Sequence, residues 1–449
     1  MRSLPLLVLL VACAPPEEAP DETPAPRPVG GKADDGSSWV VSQIESWNAR
    51  LAESDREAKY AKLAEDAPTF FRGTNHLFWS DFYRSGLLGW YGGTADTRTF
   101  ILGDLHLDNL GSQRDAAGRV VYAMNDYDES VIADYQLDLW RMGVALTLMA
   151  REQGFSPEDA DAAVDALAGA YLDGLAAWSV SSGENDVVFT KESTRGDLAA
   201  FLGDVEEKKS RKKLLDKWST VEGTKRKLTT GTDKLAEVPA DDAAGLLAAL
   251  GSKLEAKGVG KRLGAGTGSL GVLRYYVLIE GESEGPDDDV ILDVKEQPGP
   301  TAYAFFGRRE RRAYDRRFAD HAERAVQATR AMAVAEDPCL DSLTWNGVAF
   351  TVRELDPWGG ELDTDDVEGR EELVDLAAQW GQIIAAHHAR GDRDYREDWV
   401  EVDIEREIAR AIDGDAEGFR RLVRDVAVEY ADQVEADHAE FEAWLERRD

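Results

Sequence analysis

An α+β fold is predicted for this 449-residue chain, with one β-rich section set between helical ones. Helical three- and four-residue apolar spacing marks the segments before about residue 260 and after about residue 360. Between them, β-branched and aromatic runs such as Val272 to Glu280 and Val290 to Lys295 are strand-length and bounded by glycine and proline turns. Two shorter apolar runs nearer the N-terminus, Thr99 to Leu102 and Arg119 to Met124, each lead into an acidic loop. The expected organisation is a leader (1–13), a tether (14–37), and a helical section with the acidic loops and a basic insertion (38–260). A β-rich lobe (261–360) and helices that complete the larger lobe (361–449) follow.

The chain opens with Arg2, an apolar run from Leu4 to Val11, and Leu10-Val11-Ala12-Cys13. That pattern resembles a bacterial lipobox, so Cys13 is the expected lipidation site and the protein an exported lipoprotein, periplasmic or outer-membrane anchored. A chance apolar N-terminus on a cytoplasmic protein is the plainer alternative. The run is too short to span a bilayer. Ala14 to Ser37, rich in Pro, Glu, Asp and Ala, has no apolar period and is expected to be a disordered tether. With Cys13 lipidated, Cys339 is left alone, without an intrachain disulfide, as a small buried hydrophobe.

Ser38 to Asp66 reads as helical through Val41, Ile44, Trp47 and Leu51, and an aromatic stretch around Phe78, Trp79 and Phe82 follows. Leu137 to Gln153 is an amphipathic helix ended by Gly154, and Asp159 to Val180 a second. Lys208 to Lys227 carries nine Lys or Arg residues, as a solvated helix face or as a basic wall for an anionic ligand. Ala240 to Lys257 and a long basic stretch, Ala304 to Ala335, are predicted helices, with a strand at Val348 to Leu355. Helices over Glu371 to Arg390 and Asp403 to Arg447 close the chain.

The chemistry concentrates in two clusters, Gly103-Asp104-Leu105-His106-Leu107-Asp108-Asn109 and Asn125-Asp126-Tyr127-Asp128-Glu129. Phosphoryl transfer needs a carboxylate to orient or deprotonate a hydroxyl, and an Asn and an Asp to hold Mg²⁺ on a triphosphate. Asp104 is the expected base, with His106 orienting its loop, and Asn109 and Asp126 the metal ligands. Asp128 is a possible second carboxylate, on the same side as Asp126 if the strand continues. The loop Gly264 to Gly271, with Gly266, Gly268 and Ser269, lies between strands, unlike a dinucleotide fingerprint, which opens a helix. Such a flap covers ATP phosphates by backbone N–H groups where no Cβ intrudes. Lys295, on the next strand, is the expected phosphate ligand, with Glu323 or Glu310 as its carboxylate partner and Glu323 preferred. The six histidines show no repeated Asp/His arrangement, which argues against a two-metal phosphoesterase.

These residues resemble the bacterial family of domain of unknown function 2252 (DUF2252), from about Phe70 to Asp394. The landmarks are Phe71-Arg72-Gly73, the two acidic clusters, Leu137-Asp138-Leu139-Trp140-Arg141, Gly266 to Gly271, Val294-Lys295-Glu296, Val352-Arg353-Glu354-Leu355 and His388-Ala389-Arg390. Leu110 stands where the family usually has Phe. The family's Gly-Asp-x-His-x-x-Asn element is similar to that of aminoglycoside and choline kinases. The resemblance implies a two-lobed, protein-kinase-like fold with extra helices. Because the glycine loop and lysine follow the catalytic cluster, it also implies a circular permutation that brings His388 near the catalytic loop.

The expected activity is therefore Mg²⁺- and ATP-dependent phosphoryl transfer, or nucleotidyl transfer, to a hydroxyl on a small-molecule or protein acceptor. The alternative is an inactive kinase-like lipoprotein that binds a ligand or partner at the cell envelope, where ATP is scarce. A net charge of −35 argues against nucleic acid and against membrane contact other than through the lipid.

Overall fold

The computed structural model describes residues 27, 38–179, 183–251, 254–264, 271–334 and 337–448. Cys13 lies outside them, as do the tether apart from Arg27 and the loop residues Gly266, Gly268 and Ser269. Helices and antiparallel sheets share the chain, as an α+β fold requires. Among the described residues, no helix is long and apolar enough to cross a membrane.

The larger core is helical. Arg370–Arg390 lies along Pro157–Trp178, and Gln136–Glu152 packs against both Pro157–Trp178 and the long C-terminal helix Ala416–Arg448. Close approach sets one position: a Cβ on Gly381 would come within 2.2 Å of the Leu167 carbonyl oxygen. Trp79, Trp140 and Trp380 are fully buried in this core, and Tyr135 stacks on Tyr171 at 5.9 Å.

The second unit is a six-stranded antiparallel sheet in the order Asp341–Trp345, Val348–Glu354, Val290–Glu296, Arg274–Ile279, Ala256–Arg262 and Leu235–Glu237. It therefore reaches back before residue 261. Alternation along Arg274–Ile279 feeds both faces. Tyr275 and Val277 pack with Leu292, Val294 and Phe350 on one face. Tyr276 and Leu278 pack with Leu215, Trp218 and Ile291 on the other.

Several expected elements are divided. Ser38 to Asp66 forms two helices, Trp39–Asn48 and Glu53–Leu63. The basic stretch Lys208 to Lys227 is a helix, Arg211–Trp218, followed by a hairpin, Ser219–Glu222 with Lys225–Leu228. Its apolar side covers the sheet, while Lys212 pairs with Asp216 and Asp287 at the surface. Ala240 to Lys257 splits into the helix Ala240–Leu250 and the start of a strand, because Gly251 takes φ +96°. Ala304 to Ala335 is broken into Thr301–Phe305, Arg308–Arg317 and His321–Met332. Extended Phe306, Gly307 and Phe318 and the Asp320 cap interrupt it. The strand Leu110–Arg114, which pairs with Val120–Met124, was not expected: Gly111-Ser112-Gln113 carries no β-branched pattern. Cys339 is half-buried with a free thiol, and burial pushes that thiol up to about 12.

Candidate functional site

The strand Arg98–Ile101 pairs with Val131–Asp134 and delivers Leu102-Gly103-Asp104 into the interior. Gly103 turns the chain with φ +76°, and a Cβ there would meet the Glu129 carbonyl oxygen at 2.4 Å. The turn is held from three sides. The Asp138 carboxylate accepts hydrogen bonds from the Leu102 N–H at 2.7 Å and the Gly103 N–H at 2.9 Å. The Gly103 carbonyl accepts from Trp79 Nε1 at 2.8 Å and Asn75 Nδ2 at 3.1 Å. Behind Asp138, His388 Nε2 lies 3.2 Å from its Oδ2 and Nδ1 lies 3.0 Å from the Tyr171 hydroxyl. His388 thus sits beside the loop, as expected.

Asp104 meets the buried guanidinium of Arg141, whose Nε donates to Oδ1 at 2.7 Å. Arg141 is itself stacked over the ring of Phe71 at 4.2 Å. Burial raises the Asp104 carboxyl to about 6; Arg141 opposes the shift, and the Asp126 and Asp138 charges add to it. Asn109 donates from Nδ2 to the Asp104 carbonyl at 2.9 Å, and its Oδ1 accepts no hydrogen bond from the described residues. His106 is buried with Nδ1 unpartnered, and burial with the fields of Arg141 and Arg72 keeps the ring neutral. Among the described residues its ring makes no hydrogen bond by which it would orient the loop. Asp108 pairs with Arg72.

The second cluster leaves the strand at Met124, so Asp126 and Asp128 occupy a turn and do not alternate along a strand. The Asp128 N–H donates to Asp126 Oδ1 at 3.2 Å. The Asp128 carboxylate is paired with Lys295, whose ammonium it holds above the ordinary lysine value against the cost of burial. Lys295 shares a face of its strand with Ile291 and Asp293, opposite Val294 in the core with Phe350. Asp126 adds to the field on Lys295 and on Arg353. The lysine's carboxylate is therefore not Glu323, which folds back to accept from the Ala319 N–H and so stabilises its own helix start. Glu310 does not reach it either; it accepts from the Tyr83 hydroxyl at 2.6 Å and from Arg98 at 3.2 Å. The neighbour of Glu323 is the residue that enters the site. Arg324, fully buried, donates to the carbonyls of Tyr127 at 2.8 Å, Asp128 at 2.6 Å and Ser130 at 3.1 Å.

Four more groups had no assigned role. Asp138 and Arg141 were only landmarks, although two buried charges three residues apart on an apolar helix were the available signal. Glu129 accepts from the Thr301 N–H at 2.5 Å, and burial with the Asp104 charge raises it to about 7. Lys59, from Glu53–Leu63, lies in the fields of Glu129 and Asp104, and burial lowers its ammonium. Nothing in the charged sequence around Lys59 singles it out.

The glycine loop is described only at its ends. Gly264 (φ +64°) and Gly271 (φ +81°) both take the left-handed backbone. A Cβ on Gly271 would lie 3.0 Å from Leu51, so the loop's far end abuts the N-terminal helices. A cavity of about 530 Å³ is lined by His106, Asp108, Glu152, Glu361 and Asp365, with Arg72 paired at its wall.

Fold and site together define an α+β protein in which a lysine of the six-stranded sheet pairs with Asp128, on the turn between Val120–Met124 and Val131–Asp134. The chain belongs to the bacterial family described as "Uncharacterized protein conserved in bacteria (DUF2252)", which it matches over residues 52–444. No curated protein and no solved structure matches it.

Proposed function

We propose that this protein is an Mg²⁺- and ATP-dependent phosphotransferase acting on a hydroxyl acceptor, on a protein-kinase-like scaffold at the cell envelope. The observation that carries the reading is the convergence of Asp104, Asn109 and Asp126 with the Asp128–Lys295 pair, from segments far apart in sequence. The donor set fits the metal: the Asn109 amide oxygen, which accepts no hydrogen bond among the described residues, and the Asp126 carboxylate suit a hard cation that also binds phosphates. Asn109 and Asp126 would hold Mg²⁺, with Asp128 joining them, and the ion would neutralise charge on the transferring phosphates.

This chain's own groups supply the rest. Lys295 exchanges Asp128 for phosphate oxygens when nucleotide binds, so the pair keeps the buried ammonium satisfied beforehand. The glycine loop, described only at its ends Gly264 and Gly271, is the expected cover for the phosphates. Asp104 takes the proton from the acceptor hydroxyl, and Arg141 fixes the carboxylate's direction. The acidic cavity at His106 is lined by none of Asp104, Asn109, Asp126 and Lys295, and it does not identify the acceptor.

The test is thermal melting with and without Mg²⁺ and ATP. Nucleotide at 100 times its dissociation constant adds about 2.7 kcal/mol to stability. That gain should need the metal and should vanish in Asp126→Ala. No response at millimolar nucleotide defeats the reading and favours an inactive envelope binding protein.

The pH dependence has a defined sign. Asp104 must be ionised to accept a proton, so kcat/KM for the phosphate donor should fall as pH drops below about 6. The limb in kcat should lie lower, because bound Mg²⁺ favours the carboxylate. A flat acid limb down to pH 5 in both parameters would remove Asp104 as the base.

A further inference from the structure

A second group of carboxylates lies outside this cleft, where the helix Arg370–Arg390 ends. Asp392, Asp403 and Glu405 each offer an oxygen within 4.8 Å of the other two, and Asp392 and Glu405 are buried. Glu184 approaches from a third segment, the turn Gly183–Asp186. It is 2% exposed, and its carboxyl lies within hydrogen-bonding reach of Asp394 while its charge acts on Glu405. Its Oε1 accepts from Asn185 at 3.1 Å, but its Oε2 has no partner among the described residues.

Positive charge here is sparse. Of these carboxylates Arg406 reaches Asp403 alone, with Nε at 3.3 Å and its backbone N–H at 3.2 Å, and Arg390 donates to the Glu184 backbone carbonyl at 2.9 Å and not to its carboxylate. Two N–H groups, from Asp394 at 2.9 Å and Ile404 at 2.8 Å, satisfy part of Asp392. Burial and mutual repulsion push Asp392 up to about 7 and Glu405 up to about 9. Like charges gathered out of water cost free energy unless a proton or a cation lies among them.

We infer that Asp392, Asp403 and Glu405, with Glu184 beside them, form a structural site for a divalent cation of the calcium class. Calcium accepts six to eight oxygens in flexible geometry, whereas magnesium keeps most of its water and is rarely caged by protein carboxylates alone. The negative end of the helix Arg370–Arg390 also points at this position. The ion ties together the turn at Glu184, the turn after Arg390 and the start of Ile404–Ile412. It also braces the catalytic strand, because the Gly391 carbonyl accepts from the Phe100 N–H at 3.3 Å. The site is separate from the proposed nucleotide cleft and does not depend on it.

The experiment is calorimetric titration of chelator-treated protein with calcium chloride alone, repeated with magnesium chloride, in the absence of nucleotide. One calcium per chain is expected, bound at least about tenfold more tightly than magnesium, and Asp126→Ala should leave that binding unchanged. Glu405→Gln should weaken calcium binding by at least about tenfold. If that variant does not fold, Asp403→Asn, at a half-buried position, carries the same expectation. Absence of calcium binding to the parent protein at millimolar concentration overturns the inference. So does unchanged affinity in a folded variant, or loss of calcium binding in Asp126→Ala.

Discussion

Replacing Asp104 by Asn is expected to slow phosphoryl transfer about 10²- to 10⁴-fold while nucleotide affinity stays within a few-fold of the parent. The amide keeps the shape and can still accept the Arg141 Nε hydrogen bond, but it cannot take a proton from a hydroxyl. Arg141, 1% exposed at its side chain, then loses its counter-charge, so folding stability should also fall, by about 3 kcal/mol. The double variant Asp104→Asn/Arg141→Met separates the two effects, because removing the unpaired cation should recover much of the stability and none of the rate. Conversion of ATP to ADP in single turnover with acceptor, beside nucleotide binding and urea unfolding, measures all three quantities. Transfer within tenfold of the parent, or loss of affinity in place of rate, would show that Asp104 is not the proton acceptor.

The largest effect on folding is expected at Asp138. Its carboxylate satisfies the buried N–H groups of Leu102 and Gly103 and sits 3.2 Å from His388 Nε2. Asp138→Ala leaves these donors unpaired in a site from which water is excluded, at about 1–3 kcal/mol for each group. A loss on the order of 4 kcal/mol in urea denaturation follows, large against the stability of an ordinary domain. The damage should also reach the cleft, because the Leu102-Gly103 turn aims Asp104. Asp138→Asn should be milder, since one amide oxygen can still accept. A change below about 1 kcal/mol in Asp138→Ala would mean that Trp79, Asn75 and the Gly103 turn hold the loop without it.

The Gly103 to Asn109 loop was legible because its information is local. An apolar strand, a Gly-Asp turn and an Asn five residues on lie within one short stretch, where backbone geometry alone brings the Asn109 amide to the Asp104 carbonyl. The sheet strand bearing Lys295 was legible for the same reason, through β-branched spacing. The proposed calcium ligands were not, since Asp392 and Glu405 lie in ordinary acidic surroundings and their burial is invisible in the chain.

The sequence by itself determined the α+β class, the family and the two acidic loops, all of which follow from residue type and short spacing. Tertiary structure decided which partners those groups meet. Lys295 finds Asp128, 167 residues away in sequence. On the helix His321–Met332, Glu323 turns back to cap its own start while Arg324 enters the cleft. Consecutive helical residues point about 100° apart, so only the packing of that helix selects which of the two faces the site.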